Sequence, residues 1–150
     1  MSFGPTVPSI TRRGDRVGFS PHPPSVLVAD DHEDSRVIAR LVLESSGFRV
    51  LEAKNGREAL TIACAERPRA MLLDIVMPEL TGWDVTRELR SHVATAGMVI
   101  IVVTALAAAQ DRERSIAAGC DDLLTKPVHP RALLEALRRH TGHPPGVKRV

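Results

Sequence analysis

The sequence has few aromatic residues and no long apolar run. Three of its 150 residues are Phe, one is Trp and none is Tyr, which leaves no platform of rings on which the bases of a single strand could stack. No apolar run approaches the ~20 residues that a helix needs to cross a bilayer, and the N-terminus lacks the apolar core of a signal peptide. We therefore expect no nucleic-acid partner and no membrane association.

Cysteine is also scarce. Cys64 and Cys120 lie far apart and lack the short spacing of metal ligands. The sequence predicts that both are small buried residues in a protein of the reducing cytoplasm.

Charge is distributed unevenly along the chain. The formal net charge is +2, yet residues 1–24 hold three Arg and one Asp, and residues 141–150 hold one Lys and one Arg, so each end carries +2 and the body carries −2. Residues 1–24 also contain five Pro and three Gly. We expect a flexible leader over 1–24, one folded domain over 25–140 and a short tail over 141–150.

Strand and helix patterns alternate through the body. Strands are expected at 25–29, 48–53, 70–73, 98–104 and 122–125. Apolar residues recur at helical spacing after each strand. The first helix is expected to end at Gly47 and the second before Pro68. The third is expected from Thr81 or Gly82 to about Ser91, the fourth over Ala107–Ala118, and the fifth from Pro130. The alternation predicts an α/β fold, with a five-stranded parallel sheet, doubly wound, and right-handed crossovers.

Asp74 ends the third strand and precedes a loop. Pro78 prevents the strand from continuing, and Gly82 indicates a turn or a close approach before the next helix. Ligands of open α/β sheets bind at the carboxyl edge of the strands. Asp74 is therefore either part of a site or an ordinary turn or cap residue, and taken alone it leaves both interpretations open.

Three other strands supply polar residues to the same edge. The first strand ends at Asp30 and Asp31, the fourth at Thr104 and the fifth at Lys126. Each has an ordinary explanation, as a helix cap or a solvated lysine, but parallel strands bring all their carboxyl ends to one edge. Their coincidence favours a functional site.

The residue types at this edge indicate phosphoryl chemistry. Converging carboxylates raise one another's pKa unless a cation lies among them, and without a His/Cys set the natural cation is Mg²⁺. One carboxylate can then attack phosphorus to form an aspartyl phosphate. Lys126 offers a compact positive charge for the transferred group and Thr104 a hydrogen bond, while the small Ala105 leaves the approach open.

In this order the residues resemble a known family, the CheY-like receiver domain of two-component response regulators. The resemblance covers about residues 25–140 and rests on the acid pair Asp30–Asp31, on Asp74 with Met77, Pro78 and Gly82 behind it, on Thr104–Ala105 and on Lys126–Pro127. It implies a flavodoxin/CheY-like sheet of strand order 2-1-3-4-5. It also implies a phosphoacceptor of a two-component or phosphorelay pathway, and not a turnover enzyme.

The resemblance further implies partners and a set of metal ligands. The phosphoryl donor would be the phosphohistidine of a histidine kinase or histidine phosphotransfer protein, and the target would bind the face of helix four, strand five and helix five. Mg²⁺ would be held by Asp31 directly, by Asp30 through water, by Asp74 and by the backbone carbonyl of Val76. His32, which follows the acid pair, is expected to be a partly exposed residue at the start of the first helix and not a ligand.

Three residues have implied roles toward the phosphoryl group. Asp74 would accept it, Thr104 would donate a hydrogen bond to it, and Lys126 would pair with it. The Lys126–Pro127 peptide bond is expected to be cis.

The sequence departs from the family at four positions. Leu123 replaces the usual Tyr or Phe that couples to the threonine, and Val128 stands where Phe is common. We therefore expect output to rely on backbone shifts of the loop after Thr104. Val76 and Leu106, which in this family flank the water that attacks the aspartyl phosphate, are apolar and predict slow dephosphorylation.

Three other functions fit the sequence less well: a phosphatase, a nucleotide- or flavin-binding domain and a DNA-binding regulator. An aspartate-nucleophile phosphatase of the haloacid dehalogenase type needs a second Asp at position 76, where Val stands. A nucleotide- or flavin-binding domain needs a Gly- or Ser/Thr-rich loop after strand one, and the acidic segment 30–34 stands there instead. A DNA-binding regulator needs an effector such as a helix-turn-helix, for which we expect the ten residues after His140 to be too few. A stand-alone receiver and the receiver module of a hybrid histidine kinase both remain open.

Overall fold

Five strands and five helices alternate along the chain. The computed structural model describes residues 23–106 and 108–142. The elements are, in order, β1 Ser25–Ala29, α1 Glu33–Ser45, β2 Arg49–Ala53, α2 Gly56–Glu66, β3 Ala70–Leu73, α3 Gly82–Arg90, β4 Val99–Thr104, α4 Ala109–Ala118, β5 Asp122–Thr125 and α5 Pro130–Thr141. The predicted succession of elements is confirmed; the expectations for the leader over 1–22, for Ala107 and for the tail over 143–150 lie outside the described residues.

The strands form one parallel sheet. Its order is β2-β1-β3-β4-β5, and all four neighbouring pairs are parallel, so the predicted α/β fold and strand order are confirmed. Ala29 lies opposite both Ala53 and Leu73, and Thr104 lies opposite Thr125. The carboxyl ends of the strands therefore meet at one edge.

Helices cover both faces of the sheet. On one face α2 and α3 pack through residues such as Ala63 and Leu89, and α4 joins them through Ala118. On the other face α1 and α5 pack through Leu43 and Leu137. Strands that are buried on both faces explain the nearly continuous apolar runs of the sequence.

The start of α3 is fixed directly behind Asp74. Thr81 caps the helix: its hydroxyl accepts a hydrogen bond from the Asp84 amide at 3.2 Å, and its own amide donates to the Asp84 carboxylate at 3.0 Å. A Cβ at position 82 would lie 2.5 Å from the Asp74 carbonyl oxygen, so only Gly82 allows this approach. The sequence pattern behind Asp74 thus has a steric cause.

Several apolar positions are more exposed than their pattern indicates. The prediction that Cys64 is buried is wrong, because α2 turns Ala59 and Ala63 inward and leaves Cys64 exposed; Cys120 is half-buried. On α1, the side chains of Ile38 and Leu41 are 62% and 58% exposed. Among the described residues, no helix combines the length and the apolar character needed to cross a bilayer.

Candidate functional site

Three of the predicted site residues form one ion-pair cluster at the carboxyl edge. The Lys126 Nζ lies 2.7 Å from the Asp30 Oδ2 and 3.1 Å from the Asp74 Oδ2. The carboxylates of Asp30 and Asp74 are buried and the lysine is half-buried. Asp30 and Asp74 precede Lys126 by 96 and 52 positions in the sequence, yet both share its ammonium group.

The backbone holds the two buried carboxylates in place. The Asp30 amide donates to the Ala53 carbonyl at 3.1 Å, and the Asp74 amide donates to the Ala29 carbonyl at 3.0 Å. Both bonds continue the sheet by one residue beyond the paired strands. The side chains therefore leave a rigid edge and not a mobile loop.

Arg36 adds a second brace that the sequence analysis missed. Its guanidinium donates to the Asp30 carbonyl oxygen at 2.8 Å and to the Glu52 carboxylate at 3.2 Å, and Arg40 reaches the same glutamate at 3.0 Å. The brace ties α1 to β2 beneath the acid pair. Its sequence signal is faint, since it consists of two arginines one helical turn apart.

The electrostatics favour a bound cation at this edge. Burial alone would lower the pKa of Lys126, but the hydrogen bond to Asp30 and the charges of Asp74 and Asp30 raise it above its ordinary value, so the lysine is cationic at neutral pH. Asp30, Asp31 and Asp74 carry three negative charges against this single positive one. A divalent cation would balance the remaining two.

The remaining members of the acid group lie nearer the solvent. Asp31 and His32 are exposed, and His32 is the N-cap of α1. The His32 Nδ1 lies 3.2 Å from the Asp31 Oδ1 and 3.4 Å from the Asp30 Oδ1. Ligand atoms of Asp30, Asp31, His32 and Asp74 all lie within 4.8 Å of one another. The expected exposure of His32 is observed, but its approach to the acid pair was not predicted.

Thr104 and Val76 lie at the same edge with looser connections. Thr104 is fully buried; its hydroxyl accepts from the Leu106 amide at 3.2 Å, and its carbonyl accepts from the Lys126 amide at 2.8 Å. No hydrogen bond within the described ranges joins Thr104 to Asp74. The Val76 amide donates weakly to the Asp74 Oδ1 at 3.4 Å, and its side chain is exposed.

A cavity of about 450 Å³ opens beside the cluster. Asp30, Asp74 and Lys126 line its polar end, and apolar side chains of α1, the sheet and the start of α5 line the rest, among them Ile38, Val42, Val103, Val128 and Leu133. Val128 is smaller than the Phe common at this position, which leaves room in the cavity. The Lys126–Pro127 bond is cis, as the resemblance implies.

The opposite side of the edge is apolar and centred on Trp83. This side chain is 6% exposed and packs in a cluster with Ile75, Val102 and Leu123. The Trp83 Nε1 donates to the Ser115 hydroxyl at 2.9 Å, and the Arg114 guanidinium carbon lies 3.8 Å from the ring centroid. Trp83 thus connects the core behind Asp74 to α4.

The donor set of the acid group fits Mg²⁺. Its nearest atoms are carboxylate oxygens from β1 and β3, the hard ligands that Mg²⁺ takes one or two at a time while keeping water. Asp31 is exposed and engages no lysine or arginine in the described part of the chain, so it can accept a new cation. Asp30 and Asp74 each keep one oxygen that Lys126 does not contact.

Known proteins resemble this chain in sequence and in fold. The model of the response regulator receiver domain family matches residues 26–138. The polar-differentiation response regulator DivK of Brucella anthropi is 33% identical over 120 residues, which cover 80% of this chain and 98% of that protein.

Solved structures agree with this. The receiver domain of a sensor histidine kinase from Pseudomonas aeruginosa, solved with magnesium in its active-site cleft, is 32% identical and superposes with a TM-score of 0.76 over 81% of this chain and 99% of that one. The chemotaxis protein CheY4 of Vibrio cholerae is 29% identical, with a TM-score of 0.75 over 79% and 98%. Because the family model covers most of the chain and the DivK relative is 33% identical over nearly its whole length, the chain belongs to the response regulator receiver domain family.

Proposed function

We propose that this protein is a phosphoacceptor of a two-component or phosphorelay pathway, with Asp74 as the residue that is phosphorylated. The observation that carries the proposal is the shared ammonium: Lys126 Nζ lies 3.1 Å from Asp74 and 2.7 Å from Asp30 at the end of the central strands. A buried carboxylate next to a fixed cation is positioned for a reaction in which negative charge accumulates on a transferred group.

The proposed reaction moves a phosphoryl group from nitrogen to oxygen. An oxygen of the Asp74 carboxylate forms a bond to phosphorus while the phosphorus–nitrogen bond of a phosphohistidine breaks. The donor imidazole leaves with the bonding electron pair and takes a proton from solvent. The product is an acyl phosphate on Asp74, and no redox step or further reactant is required.

Each neighbouring residue has a role in this proposal. Asp31, Asp74 and the Val76 carbonyl would hold Mg²⁺ directly and Asp30 through water; when bound, the ion would neutralise charge on the transferring group. Lys126 pairs with the phosphoryl oxygens, and Thr104 turns its hydroxyl toward them.

The donor is a protein, which we place over the mouth of the cavity. Asp74 lies at its polar end, so a protein that delivers a phosphohistidine must sit on the surrounding surface. Ile38 of α1 lines this cavity and is largely exposed, and Leu41, about one turn further along the helix, is exposed as well. Both offer apolar contacts to a histidine kinase or a histidine phosphotransfer protein.

The output is a change of partner and not a turnover reaction. Thr104 accepts a hydrogen bond from Leu106, and Leu106 packs against the Trp83 cluster. Movement of the Thr104 hydroxyl toward a phosphoryl group would pull on the loop behind it and, through Trp83, on α4. We propose that this shift alters the face formed by α4, β5 and α5, where a protein target binds in the cytoplasm.

A second candidate is a receiver module that belongs to a hybrid histidine kinase. It is supported by the 32% identity to the receiver domain of a sensor histidine kinase, just as the 33% identity to the response regulator DivK supports the first candidate. Both candidates use the same acceptor chemistry.

The test uses Trp83, the only tryptophan, as a fluorescent reporter. We expect its emission to change on addition of Mg²⁺ and again with beryllofluoride, and intact-mass spectrometry to show one added phosphoryl group after incubation with acetyl phosphate. Asp74→Asn should abolish the mass gain, whereas Glu66→Gln, the same carboxyl-to-amide change at the end of α2, should not. A wild-type protein that binds no Mg²⁺ and gains no phosphoryl group would overturn the proposal.

A further inference from the structure

The imidazole of His32 faces the acid pair, and the ring has no other partner among residues 23–106 and 108–142. Its Nδ1 lies 3.2 Å from the Asp31 Oδ1 and 3.4 Å from the Asp30 Oδ1. His32 is the N-cap of α1, but its side chain makes no capping hydrogen bond. Within the described chain, the ring is therefore not employed in holding the helix.

A backbone hydrogen bond brings residue 32 back toward the acid pair. The His32 amide donates to the Asp30 Oδ1 at 2.9 Å, so residues 30 and 32 form a tight turn around one carboxylate oxygen. This turn places Nδ1 on the same side as both Oδ1 atoms. The His32 side chain is 71% exposed, so its ring can adjust to a bound ion.

Lys126 and His32 lie near different oxygen atoms of the acid group. Lys126 contacts the Oδ2 atoms of Asp30 and Asp74, whereas His32 faces the Oδ1 atoms of Asp30 and Asp31. The ammonium group thus occupies one side of the group and leaves the other side to a second cation.

The distances around His32 suit ligands of one metal ion. Adjacent ligands of an octahedral ion with bonds of about 2.1 Å lie about 3 Å apart. The two Nδ1–Oδ1 distances exceed this value by only a few tenths of an ångström. One nitrogen and two oxygens can therefore reach one ion through small rotations of the more accessible His32 and Asp31 side chains, while the buried Asp30 carboxylate stays in place.

We propose that His32 supplies a nitrogen ligand to the cation site, so that this site binds a first-row transition ion such as Mn²⁺ or Co²⁺ more tightly than Mg²⁺. Imidazole suits such ions, whereas Mg²⁺ prefers oxygen ligands and water. The inference rests on the proposed metal site and adds a nitrogen ligand to it, which should make the preference for transition ions stronger than carboxylates alone would give.

The test measures metal binding directly, without phosphorylation. Electron spin-echo spectroscopy of the Mn²⁺-loaded protein should show coupling to a directly bound ¹⁴N nucleus. The coupling should disappear in His32→Ala and persist in His92→Ala, an exposed histidine paired with Glu88. Because the His32 side chain is exposed and caps nothing, the variant should fold normally.

Affinities provide a second measure. By calorimetry, His32→Ala should weaken Mn²⁺ binding by about tenfold or more and change Mg²⁺ binding by less than about twofold. Mn²⁺ bound without nitrogen coupling, or an equal loss for both ions, would overturn the inference and leave the phosphoacceptor proposal intact. A protein that binds neither ion would overturn the metal site in both proposals, whereas phosphoryl uptake by Asp74 would still be scored separately by mass.

Discussion

The acid edge, formed by Asp30, Asp31, Asp74 and Lys126, and the Trp83 cluster lie on either side of the loops that follow β3 and β4. The acid edge consists of charged side chains, whereas the Trp83 cluster consists of apolar ones. At the acid edge, Asp30 and Asp74 are buried around a single ammonium. In the Trp83 cluster, Ile75, Val102 and Leu123 pack around an indole with one hydrogen bond. The first region is short of positive charge, and the second is an ordinary apolar core.

This contrast separates receipt of a signal from its transmission. The edge with Asp30, Asp31, Asp74, Thr104 and Lys126 keeps the residue types on which the resemblance rests, and in the proposed function each has a specific chemical role toward the phosphoryl group. In the proposed function, the Trp83 cluster only has to pack tightly and move as a unit, so different apolar side chains can fill the same space. Leu123 lacks an aromatic ring, and Trp83, on the neighbouring helix, supplies one in the same cluster.

The largest expected effect is that of removing the cation from the acid edge. Without divalent metal, Lys126→Met should lower the free energy of unfolding by about 3–5 kcal/mol, because it leaves two buried carboxylates facing each other. Excess Mg²⁺ should restore part of the loss, since the ion replaces the missing positive charge. Chemical denaturation with and without Mg²⁺ measures both effects.

Lys54 provides the control for this comparison. It is exposed at the end of β2, and Lys54→Met should change stability by less than about 0.5 kcal/mol at either metal concentration. Equal stabilities of Lys126→Met and the wild type in Mg²⁺-free buffer would contradict the view that the acid edge lacks positive charge.

The next effect tests whether Trp83 occupies the space of an aromatic residue at position 123. Leu123→Phe should cost about 1–3 kcal/mol, because the cluster is already filled by the indole. Trp83→Leu should cost about 3 kcal/mol through the cavity it leaves. The double variant should recover at least about 1 kcal/mol of the summed loss, since each change relieves the other.

Leu124 is the matched control in this cycle. It follows Leu123 on β5 but packs on the other face of the sheet, against the α1 and α5 cluster. Leu124→Phe combined with Trp83→Leu should give strictly additive losses. Additivity for the Leu123 pair as well would show that the two side chains do not share a space.

The fold and the location of the site could be predicted because both depend on local patterns. Alternating strand and helix signals fix a parallel sheet, and its strand ends then bring residues such as Asp30, Asp74 and Lys126 to one edge without knowledge of any contact. The strand order was supplied by the resemblance, since periodicity alone does not order parallel strands.

Contacts that depend on the angle between elements could not be predicted in this way. The Arg36 brace and the Trp83–Ser115 bond join separate elements whose spacing is set by packing. Cys64 was assigned to the wrong side of α2 because small residues occur on both sides of that helix. For His32, the decisive feature was a turn of three residues, whose geometry the sequence alone does not disclose.

A smaller effect concerns the lifetime of phosphorylated Asp74. Val76 is exposed two residues beyond the proposed acceptor, and Leu106 lies in the loop that Thr104 holds; neither side chain can orient a water molecule. Val76→Asn together with Leu106→Glu should accelerate phosphate loss by about tenfold, equivalent to about 1.4 kcal/mol of barrier. Phosphate release after removal of the donor gives the rate.

The control for this kinetic prediction is Val93→Asn. Val93 is 98% exposed and lies in the loop between α3 and β4, so its replacement should leave the rate of phosphate loss unchanged. If the Val76 and Leu106 changes also leave it unchanged, access of water to the acceptor does not depend on these two positions.

The smallest effect should arise at a carboxylate that already has its partners. Asp122, at the start of β5, accepts from Arg139 at 2.8 Å and from His140 at 3.0 Å. Burial raises the pKa of Asp122, but these hydrogen bonds and that of the Leu123 amide outweigh burial and hold the pKa below its ordinary value. A carboxyl whose pKa is lower in the folded state stabilises the fold above its unfolded-state pKa of about 3.9, and that contribution is lost as the pH falls through the folded value.

Asp122→Asn should therefore lower the free energy of unfolding by about 1 kcal/mol near neutral pH and by nothing once the pH lies well below 4. This loss should not depend on Mg²⁺, because Asp122 is already paired with Arg139 and His140. The loss in Lys126→Met, in contrast, should depend on Mg²⁺. Denaturation at several pH values, with Glu113→Gln as an exposed control, gives the pH profile. A loss from Asp122→Asn that shrinks when Mg²⁺ is added would mean that the metal acts on the whole fold, and the contrast between a cation-deficient edge and a satisfied remainder would no longer hold.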